Sequence, residues 1–150
     1  MNNPLALKNQ LCHRFYTLSN AFNRAYRPLL SKLDVTYPQY VVLLSLWEED
    51  AVTISRLVEH TRVDSGAMSL ILKKLEKKGF ITFTFNDNDR RSRIVTLTPF
   101  GREKKDEAVS IPHQMRCNLQ NITDEEARML VGLLDKLTSE LDETLCSADK

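Results

Sequence analysis

The chemistry available to this chain of 150 residues lies in three cysteines and in two clusters of cations. Cys12, Cys117 and Cys146 are an odd number, and no two of them stand at metal-ligand spacing. His13, His60 and His113 supply no such spacing with one another or with the cysteines, so no metal and no other cofactor is expected. Thiol chemistry remains: a thiolate attacked by peroxide becomes a sulfenic acid, which a second thiol can trap as a disulfide. In a reducing cytosol the three are thiols by default, and any disulfide is conditional. The cations offer something else. Residues 64–105 carry ten Lys/Arg against five Asp/Glu, whereas 119–150 carry three against eight. A net charge of only +1 therefore hides a basic middle that can face phosphates and an acidic tail that cannot. Phosphate-binding loops, HExxH and nucleophile elbows are absent, which argues against an enzyme.

The elements that must position these groups are legible from periodicity. Apolar residues recur at Leu11, Phe15, Leu18, Phe22, Ala25, Leu29 and Leu33, the three-four alternation of a long amphipathic helix, with Pro28 expected to kink it or loosen its last turns. A second helix opens at TYPQ, where Thr36 and Gln39 form a capping box around Pro38. Thr53 caps a short third helix, and Asp64 caps a fourth, SGAMSLILKKLEKK, which stops at Gly79. The period then changes to two. ITFTF puts Ile81, Phe83 and Phe85 on one face, and RIVTLT resumes the alternation after NDNDRRS, giving a β-hairpin with a basic tip. A further helix starts near Pro99 and is interrupted at Pro112; the last opens with a Thr123–Glu126 capping box and carries Leu130, Leu134, Leu137, Leu141 and Leu145 on one stripe.

The expected fold is mainly α with a small β-hairpin, a winged helix-turn-helix over 36–98 flanked by dimerisation helices at 5–33 and 99–146, all one domain of 1–150. Short capped helices followed by a basic hairpin have a known use. The second helix of the pair enters the major groove with its N-terminal residues nearest the base edges. Here those are Ser65, Gly66, Ala67, Met68 and Ser69: hydroxyls can hydrogen-bond bases, and Ala or Met can meet a thymine methyl. Lys73, Lys74, Lys77 and Lys78 suit phosphates, and Arg90, Arg91 and Arg93 at the hairpin tip suit a narrow minor groove, with Asp87 and Asp89 orienting some of them. KKLEKK alone is an ordinary solvated helix face; its place after the capped pair and before the hairpin gives it meaning. Both terminal helices carry more apolar surface than one small core can cover, which predicts a two-fold homodimer on a pseudo-palindromic, double-stranded operator. No run approaches the roughly 18 apolar residues of a membrane span, and MNNPLALKNQ lacks the features of a signal peptide, so a cytoplasmic protein is expected.

VDSGAMSLILKKLEKKGFITFTFNDNDRRSRIVTLTPFG resembles the recognition helix and wing of the MarR family, including its D-R-R-S wing and L-T-x-x-G exit. LCHRFYTLSNAFNRAYRPLLSKLDVTYPQYVVLLSLWE resembles, more narrowly, the organic-hydroperoxide-sensing repressors of that family. The resemblance implies that Cys12 is the peroxidatic sensor, that Tyr26 and Tyr37 hydrogen-bond it, and that Tyr16 is a neighbour that packs or moves on oxidation. It implies that Cys117 is the candidate resolving thiol, that Asp64 and Arg91 brace recognition helix to wing, and that Arg90 or Arg93 reaches the groove. It gives Cys146 no role. One part has independent physical support. Tyr26 lies 14 residues beyond Cys12, about 21 Å along a straight helix. If the two touch, Tyr26 comes from a second, antiparallel subunit; Tyr16, one turn on, can serve in the same chain. Two other readings stay open at this stage. One is a regulator released by a small phenolic or carboxylate ligand, with Cys12 a bystander; the other is a thiol peroxidase, against which the basic wing argues.

Overall fold

The expected first helix forms as α1 (Leu11–Leu30) in the computed structural model, which describes residues 3–89 and 91–148. Pro28 does not stop it: the helix runs two residues further and then tightens into a 3-10 turn, Ser31–Leu33, closed by Asp34 at φ 54°. The chain re-enters helix at α2 (Tyr37–Glu48), where the Thr36 amide donates to Gln39 Oε1 at 3.1 Å. Tyr40, Val42, Leu43 and Leu46 bury α2 on several sides, which makes it the central helix of the core.

A two-residue strand, β1 (Val52–Thr53), leads into α3 (Ile54–Thr61), whose first turn is capped by Thr53 Oγ1 accepting from the Arg56 amide at 3.1 Å. Arg62, in the left-handed region at φ 57°, ends α3, and α4 (Ser65–Lys77) starts three residues later. Gly79 at φ 81° reverses the chain into β2 (Ile81–Phe85), which pairs antiparallel with β3 (Arg93–Leu97). Ile81 faces Leu97, Phe83 faces Val95 and Phe85 faces Arg93. The hairpin is therefore present, and β1 adds what the alternation did not foretell: paired through Val52 and Val95, it covers the other edge of β3 to give the order β1-β3-β2. Burial fades along β2. Ile81 is in the core and Phe83 is half-buried, while Phe85 reaches solvent.

Helix α5 (Pro99–Ala108) is capped by Thr98 Oγ1, which accepts from the Gly101 amide at 3.0 Å. Gly101 has to be glycine: a Cβ there would stand 2.1 Å from the Phe80 carbonyl oxygen. The interruption expected at Pro112 falls two residues earlier, because proline is tolerated in the first turn of α6 (Ile111–Cys117). Helix α7 (Asp124–Ala148) opens with the expected box, the Thr123 amide on Glu126 Oε2 at 2.8 Å and the Glu126 amide on Thr123 Oγ1 at 3.2 Å.

The chain divides into two compact units, Met1–Met115 and Arg116–Lys150. The first holds the core, in which Leu30, Leu43, Leu46, Leu57, Leu72, Leu75, Phe80 and Val95 are closed to solvent. In the second, Arg116 organises the turn before α7, donating to the Leu119 and Ile122 carbonyls and to Asp124 Oδ1 at 3.0, 2.7 and 2.6 Å. The leucine stripe of α7 is exposed along its length. Among the described residues no helix is long and apolar enough to cross a membrane.

Candidate nucleic-acid interface and redox thiol

Helix α4 begins where Asp64 Oδ1 accepts from the Gly66 and Ala67 amides at 2.9 and 3.2 Å. Those bonds satisfy two of the orphan donors of the helix end and fix its direction. Its solvent side presents Ser65, Gly66, Ser69, Lys73, Lys74 and Lys77, with Ala67 half-buried. Ser69 Oγ donates back to the Ser65 carbonyl at 3.1 Å, which leaves its lone pairs for an incoming donor. Two expectations need correction. Met68 has no exposed surface; three and four residues before Ile71 and Leu72, it belongs to the core stripe and cannot meet a base. Lys78 turns inward, donating to the Asp34 carbonyl and to Gln39 Oε1 at 3.3 Å, so it ties α4 to the α1–α2 junction and leaves the phosphate-facing run. The sequence reading also missed Leu70, an outward position four residues after Gly66 and 63% exposed. The same helical period that identified Ser69 and Lys73 would have found it.

The wing loop is held by its own side chains. The Asn86 amide donates to the Ser92 carbonyl at 3.0 Å, and Asn86 Oδ1 accepts from Asn88 N–H at 3.1 Å. Asp89 Oδ1 accepts from the Arg91 backbone amide at 3.0 Å, so this aspartate shapes the turn. Arg90 lies outside the described residues. Arg91 is exposed, and the Asp64 carboxylate is engaged by its helix end with no ion pair to Arg91 in the unbound chain. Arg93 stacks its guanidinium over Phe83, 5.2 Å from the ring centroid, and lines one cleft with Ser69 and Lys73. Helix α4 and the hairpin thus share one cleft, where Lys73 and Arg93 outnumber the carboxylate of Glu76.

Cys12 is exposed in the first turn of α1, and Tyr16, one turn on, is exposed as well. Arg14, near it in sequence, reaches back to the Lys8 carbonyl at 2.8 Å. Tyr26 and Tyr37 stand together at the far end of α1, ring centroids 4.6 Å apart, with Tyr40 at 6.1 and 6.4 Å. Burial, and then the neighbouring Tyr37, raise the Tyr26 hydroxyl above the ordinary phenol value; Tyr40 is raised by burial and then by Tyr26 and Tyr37. Both phenols remain protonated donors at neutral pH. With 14 residues of one helix between them, Cys12 and Tyr26 of the same chain are about 21 Å apart. Cys117 and Cys146 are exposed and belong to the second unit, and none of the three cysteines is in a disulfide. His60 is bound to Ser45 Oγ at 2.7 Å and lies 3.5 Å from Glu48; among the described residues no group of three metal-ligating side chains occurs.

The MarR family model matches residues 35–92, from the approach to α2 through the wing. The organic hydroperoxide resistance transcriptional regulator of Bacillus subtilis (strain 168) is 42% identical over 108 residues, 72% of this chain and 74% of that one. Two solved structures of AbfR from Staphylococcus epidermidis are similar across most of the chain. Reduced AbfR bound to DNA superimposes with a TM-score of 0.80 at 29% identity, covering 96% of this chain and 98% of that one. Disulfide-formed AbfR does so with a TM-score of 0.62 at 30% identity, covering 88% and 92%. With α4 and the wing inside the matched segment and this identity over most of its length, the chain belongs to the MarR family and is a DNA-binding transcriptional regulator, not an enzyme.

Proposed function

We propose that this regulator is a homodimeric repressor that binds a pseudo-palindromic operator when reduced and releases it when an organic hydroperoxide oxidises Cys12. The observation that carries the reading is the layout around α1: an exposed thiol in its first turn and, at its other end, the half-buried phenol of Tyr26 paired with that of Tyr37 from the start of α2. Neither end makes a sensor alone. An antiparallel second copy brings Tyr26 and Tyr37 of one subunit to Cys12 of the other, where their hydroxyls donate to the sulfur anion and Tyr16 packs beside it. The exposed leucines of α1 and α7 supply the apolar surface for that dimer, so 5–33 and 99–146 are its interface and 36–98 its DNA-binding part. The names of its relatives point the same way, one for organic hydroperoxide resistance and one known both reduced on DNA and in a disulfide form.

The chemistry balances without a cofactor. The Cys12 thiolate attacks the distal peroxide oxygen, the O–O bond breaks, and the alkoxide leaves as the alcohol after taking a proton, with Cys12 now a sulfenic acid. Cys117 is the candidate resolver: its thiol displaces water from the sulfenic sulfur to form a disulfide, which requires Cα atoms within roughly 7 Å. On the operator, Ser65, Gly66, Ala67 and Ser69 face bases, Lys73 and Lys74 face phosphates, and Arg93 with Arg90 serves the wing. The Asp64–Arg91 brace forms in the bound state, sharing Asp64 with the helix cap. The regulator works beside the chromosome, in the cytoplasm.

The test is operator binding by wild type and Cys12→Ser, with and without cumene hydroperoxide. Wild type is expected to release DNA on oxidation, and Cys12→Ser to bind equally in both conditions. Release of DNA by Cys12→Ser on peroxide treatment overturns the redox reading.

A further inference from the structure

We propose that Leu70 reads thymine methyl groups in the major groove and so sets part of the operator preference of this chain; the inference rests on α4 being the groove-facing helix. Leu70 is the sixth residue of α4 and 63% exposed. The other large apolar residues of that helix, Met68, Ile71, Leu72 and Leu75, are buried on the opposite stripe. At that exposure the leucine side chain is mostly outside the core. Its outward neighbours leave it uncovered: Gly66, one turn before, has no side chain, Ser69 is short, and Lys73 and Lys74, one turn after, are solvated cations.

Those neighbours also identify what the leucine meets. A face that carries Lys73, Lys74 and Lys77 against the single carboxylate of Glu76, with Arg93 across the cleft, is net cationic, attracts a polyanion and disfavours an apolar protein partner. Within the major groove of a DNA duplex, the apolar group offered by base edges is the C5-methyl of thymine. An isobutyl side chain set among hydroxyls and lysines therefore has one complementary feature on its ligand. Ser69, beside it, offers lone pairs to an exocyclic amino group, and adenine N6, on the partner base of a thymine, is such a donor. Hydroxyl and leucine together are suited to an A·T pair.

The experiment uses the reduced full-length chain. Preferred duplexes are selected from a random pool, and each thymine of the selected site is then replaced singly by deoxyuridine, which keeps the pairing and deletes the methyl. Burying one methyl group corresponds to about fourfold in affinity. One thymine in each half-site is expected to show that loss, and replacing both symmetry-related thymines to weaken binding about 15-fold. Leu70→Ala, at an exposed helical position where alanine is well tolerated, should fold normally and bind the thymine and deoxyuridine duplexes alike. Lys73→Ala should bind both more weakly and keep the wild-type ratio. Leu70→Gln should enrich a different set of sites at that base pair. A wild type indifferent to every methyl, or a Leu70→Ala variant that keeps the wild-type discrimination, overturns the assignment while leaving α4 as the DNA helix. A wild type that enriches no duplex overturns the assignment together with the reading of α4 on which it rests.

Discussion

Replacing Ser19 by cysteine should lock two copies of the chain together. Cys12, Ser19 and Tyr26 are spaced by seven residues, so they lie on one stripe of α1 that drifts by only about 40° over two heptads. If Tyr26 of each subunit serves Cys12 of the other, the two-fold axis crosses α1 midway between them, at Ser19. A residue displaced from that point by one position stands about 3 Å further along the axis from its symmetry mate, twice the helical rise. The two Cys12 residues are then about 21 Å apart, and a pair at Asn23 about 12 Å apart. The pair at Ser19 is separated only across the helices. With axes 8–10 Å apart and Cα atoms at a radius near 2.3 Å, inward-facing Cα atoms stand roughly 5 Å from each other, within disulfide reach. Ser19 is exposed and small, which suits it to a crossing point. The assay is air oxidation of Ser19→Cys in a chain whose three native cysteines are serine, followed by a non-reducing gel. A dimer band that persists on dilution to nanomolar chain and disappears with reductant is expected, with Asn23→Cys remaining monomeric. A monomeric Ser19→Cys beside a cross-linked Asn23→Cys refutes the antiparallel register, and with it the shared Cys12–Tyr26 site.

If Lys73 faces a phosphate in each half of the proposed dimer, Lys73→Ala should make the slope of log affinity against log salt shallower by about 1.8. The advantage of wild type over the variant should shrink about twelvefold between 50 and 200 mM salt, as read by titration at several salt concentrations. Asp50 tests the body of the fold. Burial works to raise its carboxyl, but the Leu97 amide, the Arg102 guanidinium and the Ala51 amide, at 2.8, 2.9 and 2.8 Å, hold it below the ordinary value. A lowered folded value means stabilisation that is present above the unfolded carboxylate pKa, near 3.9, and is lost as pH falls through the folded one. Asp50→Asn should therefore melt below wild type at pH 7, and the gap should close under acid conditions.

Elements governed by local periodicity and caps were legible in the sequence. Thr53, Asp64 and the Thr123–Glu126 box each cap the helix expected of them, because a cap is decided by neighbours within four residues. Features decided across the fold were not. Val52–Thr53 reads as the approach to a helix, and it becomes a strand only because β3 leaves an edge beside it. Lys78 looks like the last member of a cationic run, yet the carbonyl it reaches belongs to Asp34, 44 residues away in sequence. The proposed sensor was half legible: the family resemblance pointed to Cys12 and its tyrosines, whereas the contact of Tyr40 with both phenols depends on how α2 lies against α1.

Tyr40 leads from the phenols toward the wing. Its ring meets Trp47 edge-on at 6.4 Å, and Trp47 Nε1 donates to the Gly101 carbonyl at 2.9 Å. Gly101 is pressed against the Phe80 carbonyl so closely that no Cβ fits, and that same carbonyl accepts the Thr98 amide at 2.9 Å. Tyr26, Tyr40, Trp47, Gly101 and Phe80 thus form a continuous packed route, inside one unit, from the end of α1 to the base of β2. A movement of Tyr26 caused by chemistry at a neighbouring sulfur has a physical way to reach the wing. Contact alone does not establish coupling, so the route has to be tested by a change that leaves both ends intact. Trp47→Phe keeps an aromatic ring and removes one hydrogen bond, for a stability cost of about 0.5–1.5 kcal/mol, since the Gly101 carbonyl keeps the amide of its own helix. Its reduced form should bind operator nearly as wild type does, while oxidation should weaken binding several-fold less than in wild type. Trp47 is also the single tryptophan, so its emission should shift when wild type is oxidised and stay constant in Cys12→Ser. If Trp47→Phe releases the operator as completely as wild type, and wild-type emission does not respond to peroxide, the switch travels by another path, and the terminal helices become the place to look.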